Sequence, residues 1–151
     1  GWKIGWAIAP EPLTAGVRAA HQFLTFATAT PLQHGAAAAL AAGQDYYDAL
    51  LASYRRKRDL LAEGLDAVGF DVFVPQGTYF VLADHRPFGF PDDVTFATHL
   101  ATEIGVAAIP PSAFYHRKDD GADLVRFAFC KGESTLRVAV ERLRRLRDLA
   151  G

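Results

Sequence analysis

The chain has 151 residues, 50% of them hydrophobic and 22% charged, and its 16 basic and 17 acidic residues give a net charge of −1. This composition is typical of a globular protein with a hydrophobic core, and it excludes a general basic surface for nucleic acid or an anionic membrane. No apolar run reaches the ~20 residues that a membrane-spanning helix needs. The single cysteine, Cys130, has no partner for an internal disulfide, which favours a cytoplasmic location.

The chain opens on a predicted β-strand. Tryptophan and isoleucine alternate with glycine and lysine in residues 2–9, and Pro10 ends the pattern because it lacks an N–H donor. A strand with such large apolar side chains needs neighbouring strands to pair with. Because the sequence also has no methionine, we expect the chain to be the later part of a longer protein that supplies those strands.

Three helices are predicted next. The first covers about residues 13–26, where apolar residues recur at helical spacing. The second covers residues 30–43, and Thr30 and Gln33 match a capping box at its start. The third covers residues 45–69, with an apolar face that predicts packing against a core.

The rest of the chain alternates short strands with helices. The predicted strands are residues 70–74, 78–82, 106–109 and 124–129, and the predicted helices are residues 92–104 and 134–149. Asp92 or Asp93 is expected to cap the first of these helices, and Gly105 to end it. With three helices and four short strands after residue 45, the predicted fold class is α/β.

Arg126 is the residue that fits its surroundings least. It lies between Val125 and Phe127 in an apolar strand, and an arginine keeps its charge, so its burial requires a partner. Two interpretations stay open from the local pattern. Either the side chain points to water together with Leu124 and Ala128, or it forms a bidentate clamp for a carboxylate.

Four segments, taken in series, carry a resemblance to a known family. They are Gly-Trp-Lys-Ile-Gly-Trp at 1–6, Pro-Gln-Gly-Thr-Tyr-Phe at 75–80, Val-Ala-Ala-Ile-Pro at 106–110, and Val-Arg-Phe-Ala-Phe-Cys-Lys at 125–131. Together they resemble the fold-type I aminotransferases that depend on pyridoxal 5'-phosphate (PLP). The likeness covers nearly the whole chain and is strongest to the branch of kynurenine, glutamine, methionine and succinyldiaminopimelate aminotransferases.

This resemblance implies a domain organisation. The chain would match only the C-terminal part of such an enzyme. Residues 1–30 would contain the last strand and helix of the large PLP-binding domain, residues 31–44 would form a connecting helix, and residues 45–151 would form the small C-terminal domain. In that small domain a short-stranded sheet packs against helices.

The resemblance also implies roles for single residues. Lys3 matches a basic residue that contacts the cofactor phosphate, and Arg126 matches the arginine that pairs with the substrate carboxylate. Phe26 matches an aromatic residue that reaches into the partner subunit's pocket, although the histidine that often follows it is Ala27 here. The Schiff-base lysine of the family lies in a Ser-x-x-Lys segment that would precede Gly1, so no catalytic residue is expected in this chain.

The implied function is transfer of an amino group between an amino acid and a 2-oxo acid, by a cytoplasmic homodimer that uses PLP. The chain by itself is expected to be inactive. An alternative interpretation is an aminotransferase-like, effector-sensing domain of a transcription regulator, and a further one is a stand-alone binding module. No metal, nucleic-acid or membrane partner is predicted.

The other polar clusters are interpreted as structural. Residues 84–86, Asp-His-Arg, are expected to be a polar loop end, and residues 116–121 a mobile loop without metal-ligand spacing. The basic residues 55–58 spread over all faces of their helix, which predicts a solvated surface. Cys130 is expected to be buried in a strand.

Overall fold

The computed structural model describes residues 3–148 of the chain. The chain forms two compact units, Gly1–Asp48 and Ala49–Gly151. The described residues contain the helices α1 (Glu11–Leu24), α2 (Thr30–Leu40), α3 (Gln44–Val68), α4 (Asp93–His99) and α5 (Glu133–Leu143), and the strands β1 (Asp71–Phe73), β2 (Phe80–Asp84) and β3 (Leu124–Ala128).

The first unit contains α1, α2 and the start of α3. The predicted strand over residues 2–9 is wrong for residues 3–9, which form no regular element, and Trp2 lies outside the described residues. A strand exists only where another strand accepts and donates its main-chain hydrogen bonds, and no described residue pairs with this segment. The indole of Trp6 and the side chain of Ile8 are consequently exposed.

The predicted capping box of α2 is also wrong. Ala29 is the N-cap residue, and Thr30 is already the first residue of the helix, so its hydroxyl lies one residue too late to cap the free N–H groups. The amide Nε2 of Gln33 instead donates to the carbonyl oxygen of Thr28 at 2.8 Å. The Tyr47 hydroxyl donates to the carbonyl oxygen of Ala39 at 2.6 Å and so connects α2 to the start of α3.

The second unit is built on an antiparallel sheet with the strand order β1-β2-β3. Val72 lies opposite Ala83, and Leu82 lies opposite Arg126. Because side chains alternate between the two faces of a strand, Val81 and Phe127 point to one face while Leu82 and Arg126 point to the other. We call the first the core face and the second the open face.

The core face of the sheet packs against α3, α4 and α5. The largest fully buried side chains of this core include Leu65, Val81, Phe96, Leu100, Val125, Phe129 and Leu143. At ~25 cal/mol per Å² of apolar surface, each of the large ones contributes about 1.5–3 kcal/mol. The α3 face predicted from periodicity is confirmed at its C-terminal half, where Leu61 and Leu65 are buried, whereas Leu50 and Leu51 are exposed.

The predicted strand over residues 106–109 is reduced to one bridge between Ile109 and Arg126. Two prolines, Pro110 and Pro111, follow at once, and neither has an N–H to continue a ladder. The chain instead forms a 3-10 turn over Pro111–Phe114. The sheet therefore has three strands rather than the predicted four within the described part of the chain.

Both signals predicted for the helix that begins near residue 92 are confirmed. The Asp92 carboxylate caps α4 by accepting the Thr95 N–H at 2.7 Å, and Gly105 follows the π-type turn Leu100–Ile104 with a left-handed φ of 77°. A 3-10 segment, Arg144–Asp148, follows α5, and the predicted end of that helix at residue 149 lies outside the described residues. Among residues 3–148, no helix combines the length and apolarity needed to cross a membrane.

Candidate functional site

Arg126 lies on the open face of the sheet, at the edge strand β3. Its main-chain N–H and C=O both bond to Ile109, each at 3.0 Å, so the facing pair of Leu82 and Arg126 makes no main-chain hydrogen bonds. The backbone of Arg126 is therefore fixed on its outer side by the segment that contains Ile109, while Val125 and Phe127 pair with β2.

Two aromatic rings hold the Arg126 guanidinium. Its Cζ atom lies 4.8 Å from the ring centroid of Phe80 and 5.1 Å from that of Phe114. Phe80 is the diagonal cross-strand neighbour on the open face, because it pairs with Ala128. Phe114 comes from the 3-10 turn that follows the Ile109 bridge. Cation–π attraction is strongest for a cation over a ring face, so both contacts favour a fixed orientation of the guanidinium.

No carboxylate among residues 3–148 lies within ion-pair distance of Arg126. The residue is half-buried, so neither simple interpretation of the local pattern describes it fully. It does not extend freely into water, and its charge has no anionic partner in the described residues. A guanidinium held on its faces keeps its N–H edge for an external anion, and a carboxylate matches that edge with two parallel hydrogen bonds.

The turn that carries Phe114 is itself anchored. The Asp93 carboxylate, 1% exposed, accepts the N–H of Ser112 at 2.7 Å through Oδ2. Gly121 lies close to the same turn, since a Cβ at this position would lie 2.9 Å from Ser112 N and 2.7 Å from the ring of Tyr115. Ser112 is thus hydrogen-bonded to a buried carboxylate and leaves no room for a side chain at residue 121.

Lys3 and Phe26 belong to the first unit, and Arg126 belongs to the second. Lys3 is exposed, and no carboxylate of the described residues forms an ion pair with it. Phe26 is 83% exposed and has a φ of 66°, in the left-handed region that non-glycine residues rarely adopt. Neighbours of both residues, including Ile4 and Ala27, line a cavity of about 460 Å³ in the first unit.

The Asp-His-Arg segment at 84–86 is more buried than a polar loop end. Asp84, 4% exposed, ends β2, and its carboxylate accepts the Arg86 Nε–H and Nη2–H at 2.8 and 2.5 Å. Burial raises the pKa of Asp84, but the hydrogen bonds and charge of Arg86 outweigh this and bring the pKa below its usual value. His85 is buried against Phe96 and bonds to the Ala122 carbonyl oxygen at 2.8 Å. This arrangement is a structural turn.

Cys130 is exposed, so the prediction of a buried strand cysteine is wrong. Strand β3 ends at Ala128, and Val125, Phe127 and Phe129 take the inward positions, which leaves Cys130 on the outward side. In the loop at 116–121, Arg117 pairs with Asp120 at 2.6 Å. Within residues 3–148, no group of three or more histidine, cysteine, aspartate or glutamate side chains is arranged to hold a metal ion.

Comparison with known proteins assigns the family. The sequence model of the family "Aminotransferase class I and II" matches residues 1–143. The chain therefore belongs to the class I and II aminotransferases, a family that depends in general on PLP. This confirms the resemblance in the four sequence segments.

The relatives with high sequence identity belong to the branch of the family that the sequence indicates. The chain is 46% identical to the probable N-succinyldiaminopimelate aminotransferase DapC of Mycobacterium tuberculosis, over 95% of this chain and 38% of that protein. It is 43% identical to the methionine aminotransferase of Escherichia coli, over 97% of this chain and 38% of that protein. The structure of N-succinyldiaminopimelate aminotransferase from M. tuberculosis superposes with a TM-score of 0.86 at 48% identity, covering 96% of this chain and 38% of that one.

The chain thus spans 38% of the length of these relatives, and its mixed α/β structure matches part of a fold-type I aminotransferase. Sequence reasoning singled out Arg126 but not the residues around it. Phe80 lies in the segment 75–80 that resembles the family, and the sequence indicates Asp93 only as a possible helix cap. The one sequence signal near Phe114 is the proline pair at 110 and 111, which indicates a turn in the segment that contains Phe114.

Proposed function

We propose that this chain is the C-terminal part of a PLP-dependent aminotransferase in which Arg126 binds the carboxylate of the substrate. The observation that carries the proposal is a half-buried guanidinium held by two aromatic rings, without an anionic partner among residues 3–148. In domain terms, residues 1–30 would complete the large domain, residues 31–44 would connect the domains, and residues 45–151 would form the small domain.

Arg126 suits this role for both substrates of a transamination. An amino acid and a 2-oxo acid carry the same carboxylate next to the reacting carbon, so one arginine serves both halves of the reaction. Two charge-assisted hydrogen bonds to the guanidinium fix the plane of the carboxylate as well as its position. Such orientation is what converts binding into rate, because it places the reacting carbon reproducibly against the cofactor.

Lys3 fits the phosphate of the cofactor. Its ammonium is exposed and forms no ion pair in the described residues, and lysine binds phosphate well as a point charge. When bound, PLP supplies the electron sink for the proton shift next to the substrate carboxylate. We place the lysine that holds PLP covalently before Gly1, so the 151-residue chain alone should not catalyse transamination.

Phe26 is proposed to contact substrate in the other subunit of a homodimer. Its left-handed backbone and 83% exposure are unusual for a phenylalanine, and strained residues of this kind cluster at functional sites. A side chain that extends from its own unit in this way is suited to reach a neighbouring subunit.

The test uses the full-length protein that contains this chain, loaded with PLP. A panel of amino acids, with L-methionine and L-kynurenine among them, is assayed for transfer to 2-oxoglutarate. We expect transamination that is lost in Arg126→Ala and kept in the matched control Arg137→Ala, an exposed arginine on α5. Lys3→Ala should weaken PLP binding, measured by absorbance of the bound cofactor. If the protein binds PLP without any transamination, the sensing-domain interpretation replaces the enzyme. If Arg126→Ala retains full activity, the carboxylate role is refuted.

A further inference from the structure

We infer that Asp93 is a positioning residue for the carboxylate site at Arg126, acting through the Ser112 N–H and the Phe114 ring. This inference rests on the proposed function of Arg126. Asp93 forms no ion pair with the guanidinium, and its effect passes through the turn Pro111–Phe114.

Burial of the Asp93 carboxylate has a cost in free energy. A carboxylate that is 1% exposed has lost its water, and such a group is retained in a fold only where hydrogen bonds replace that water. Its Oδ2 accepts the main-chain N–H of Ser112 across a sequence separation of 19 residues. This bond joins the start of α4 to the turn beside β3 and restricts where the turn can lie.

The residues on both sides of Ser112 contact Arg126. Ile109, three residues before Ser112, binds both main-chain groups of Arg126, and Phe114, two residues after Ser112, covers its guanidinium at 5.1 Å. Ser112 therefore lies between the residue that fixes the Arg126 backbone and the residue that orients its side chain. Moving Ser112 disturbs both contacts at once.

The Phe114 ring does not hold the turn in place by itself. Phe114 is 67% exposed, so its own packing does little to hold it over Arg126. Gly121 lies close to the turn, since a Cβ at this position would meet Ser112 N at 2.9 Å, and Asp93 holds the turn through the hydrogen bond. Without the Asp93 acceptor, the Ser112 N–H is left unpaired in a buried position. Moving the turn toward water then lowers the free energy, because water can accept that N–H.

The binding test uses the full-length protein and 3-phenylpropionate, a carboxylate that lacks an amino group, with affinity measured by calorimetry. Asp93→Ala should weaken binding by about tenfold or more, since small misplacement of a binding group has large effects. Asp93→Asn should stay within about threefold of the native affinity, because its amide oxygen accepts the same N–H. The matched control is Asp92→Ala, which removes the cap of the same helix but leaves Ser112 untouched, and it should keep the native affinity.

Three results would overturn the inference: native affinity in a folded Asp93→Ala variant, equal weakening by Asp92→Ala, or a loss in Asp93→Asn as large as in Asp93→Ala. Should Asp93→Ala fail to fold, Gly121→Ala moves the same turn with Asp93 intact, because its Cβ would meet Ser112 N at 2.9 Å. A folded Gly121→Ala variant with native affinity would also overturn the inference.

A spectroscopic measurement separates this inference from the proposed function. In the full-length protein, the Arg126 Nε–H resonance is identified by its disappearance in Arg126→Lys. Two nearby rings should shield this proton, and Asp93→Ala should shift the resonance toward its ordinary position while Asp92→Ala leaves it in place. An unmoved resonance in Asp93→Ala overturns the positioning role. If the native full-length protein does not bind 3-phenylpropionate, the carboxylate role of Arg126 fails, and the resonance still decides whether Asp93 orients that side chain.

Discussion

Replacing Arg126 by lysine keeps the positive charge but removes the planar guanidinium and its two parallel N–H donors. A lysine ammonium donates to a carboxylate without the two parallel bonds of a guanidinium, so about one charge-assisted hydrogen bond is lost, or ~1.5–3 kcal/mol. The planar stacking on Phe80 and Phe114 is lost too, at ~0.5–1 kcal/mol for a partly exposed site. The sum of about 2–4 kcal/mol corresponds to a reduction in kcat/KM of roughly 30- to 1,000-fold.

The assay is steady-state transamination by the full-length protein, with the best donor from the amino-acid panel. Arg137→Lys on α5 is the matched control, because it makes the same exchange at an exposed position. The melting temperature of Arg126→Lys should fall by no more than about 2–4 °C, since Arg126 makes no ion pair within residues 3–148 and the lost stacking is worth ~1 kcal/mol at most. A folded Arg126→Lys enzyme with nearly native kcat/KM would refute the bidentate carboxylate site.

Three further outcomes are expected. Gly64→Ala should lower the free energy of unfolding by about 1 kcal/mol although alanine favours helix more than glycine does, because its Cβ would lie 2.8 Å from Cγ1 of the stiff Val140 side chain. Urea unfolding measures this free energy, which should recover in the double variant Gly64→Ala/Val140→Ala. A Gly64→Ala variant more stable than the native protein would contradict the prediction. The folded-state pKa of Asp84 is lowered by its bonds to Arg86, so the native chain should be more stable than Asp84→Asn above pH 5. This difference in stability should vanish as the pH falls through the lowered pKa of Asp84. A difference that grows in acid would refute the stabilising bond between Asp84 and Arg86. Cys130 should react with a thiol reagent in the native chain as fast as in urea, and protection would contradict its exposure.

Local patterns predicted the elements whose partners are near in sequence. The Asp92 cap and the Gly105 stop depend on the first and last turns of one helix segment, and both were predicted correctly. Periodicity also predicted the apolar face of α3, although only the C-terminal half of that face is buried. Residues 3–9 and 106–109 read equally well as strands, but a strand requires pairing across the sheet, which the local sequence does not encode.

The candidate site was predictable only in its central residue. An arginine in an apolar strand stands out in the sequence, whereas Phe80 and Phe114 look like ordinary apolar residues until the register of β2 and the Ile109 bridge bring them to Arg126. Asp93 shows the same limit. It follows a capping aspartate and resembles one, and only the fold brings its carboxylate to an N–H that lies 19 residues later.

Pro110 and Pro111 also bear on aggregation. The outer edge of β3 would otherwise offer main-chain groups to a strand from another molecule, which is how many sheets begin to polymerise. Here Arg126 has already given its N–H and C=O to Ile109, and the prolines offer no donors with which a foreign strand could extend the pairing. Strand β3 thus presents a half-buried arginine at its outer edge, while the main-chain groups at that position are unavailable for intermolecular pairing.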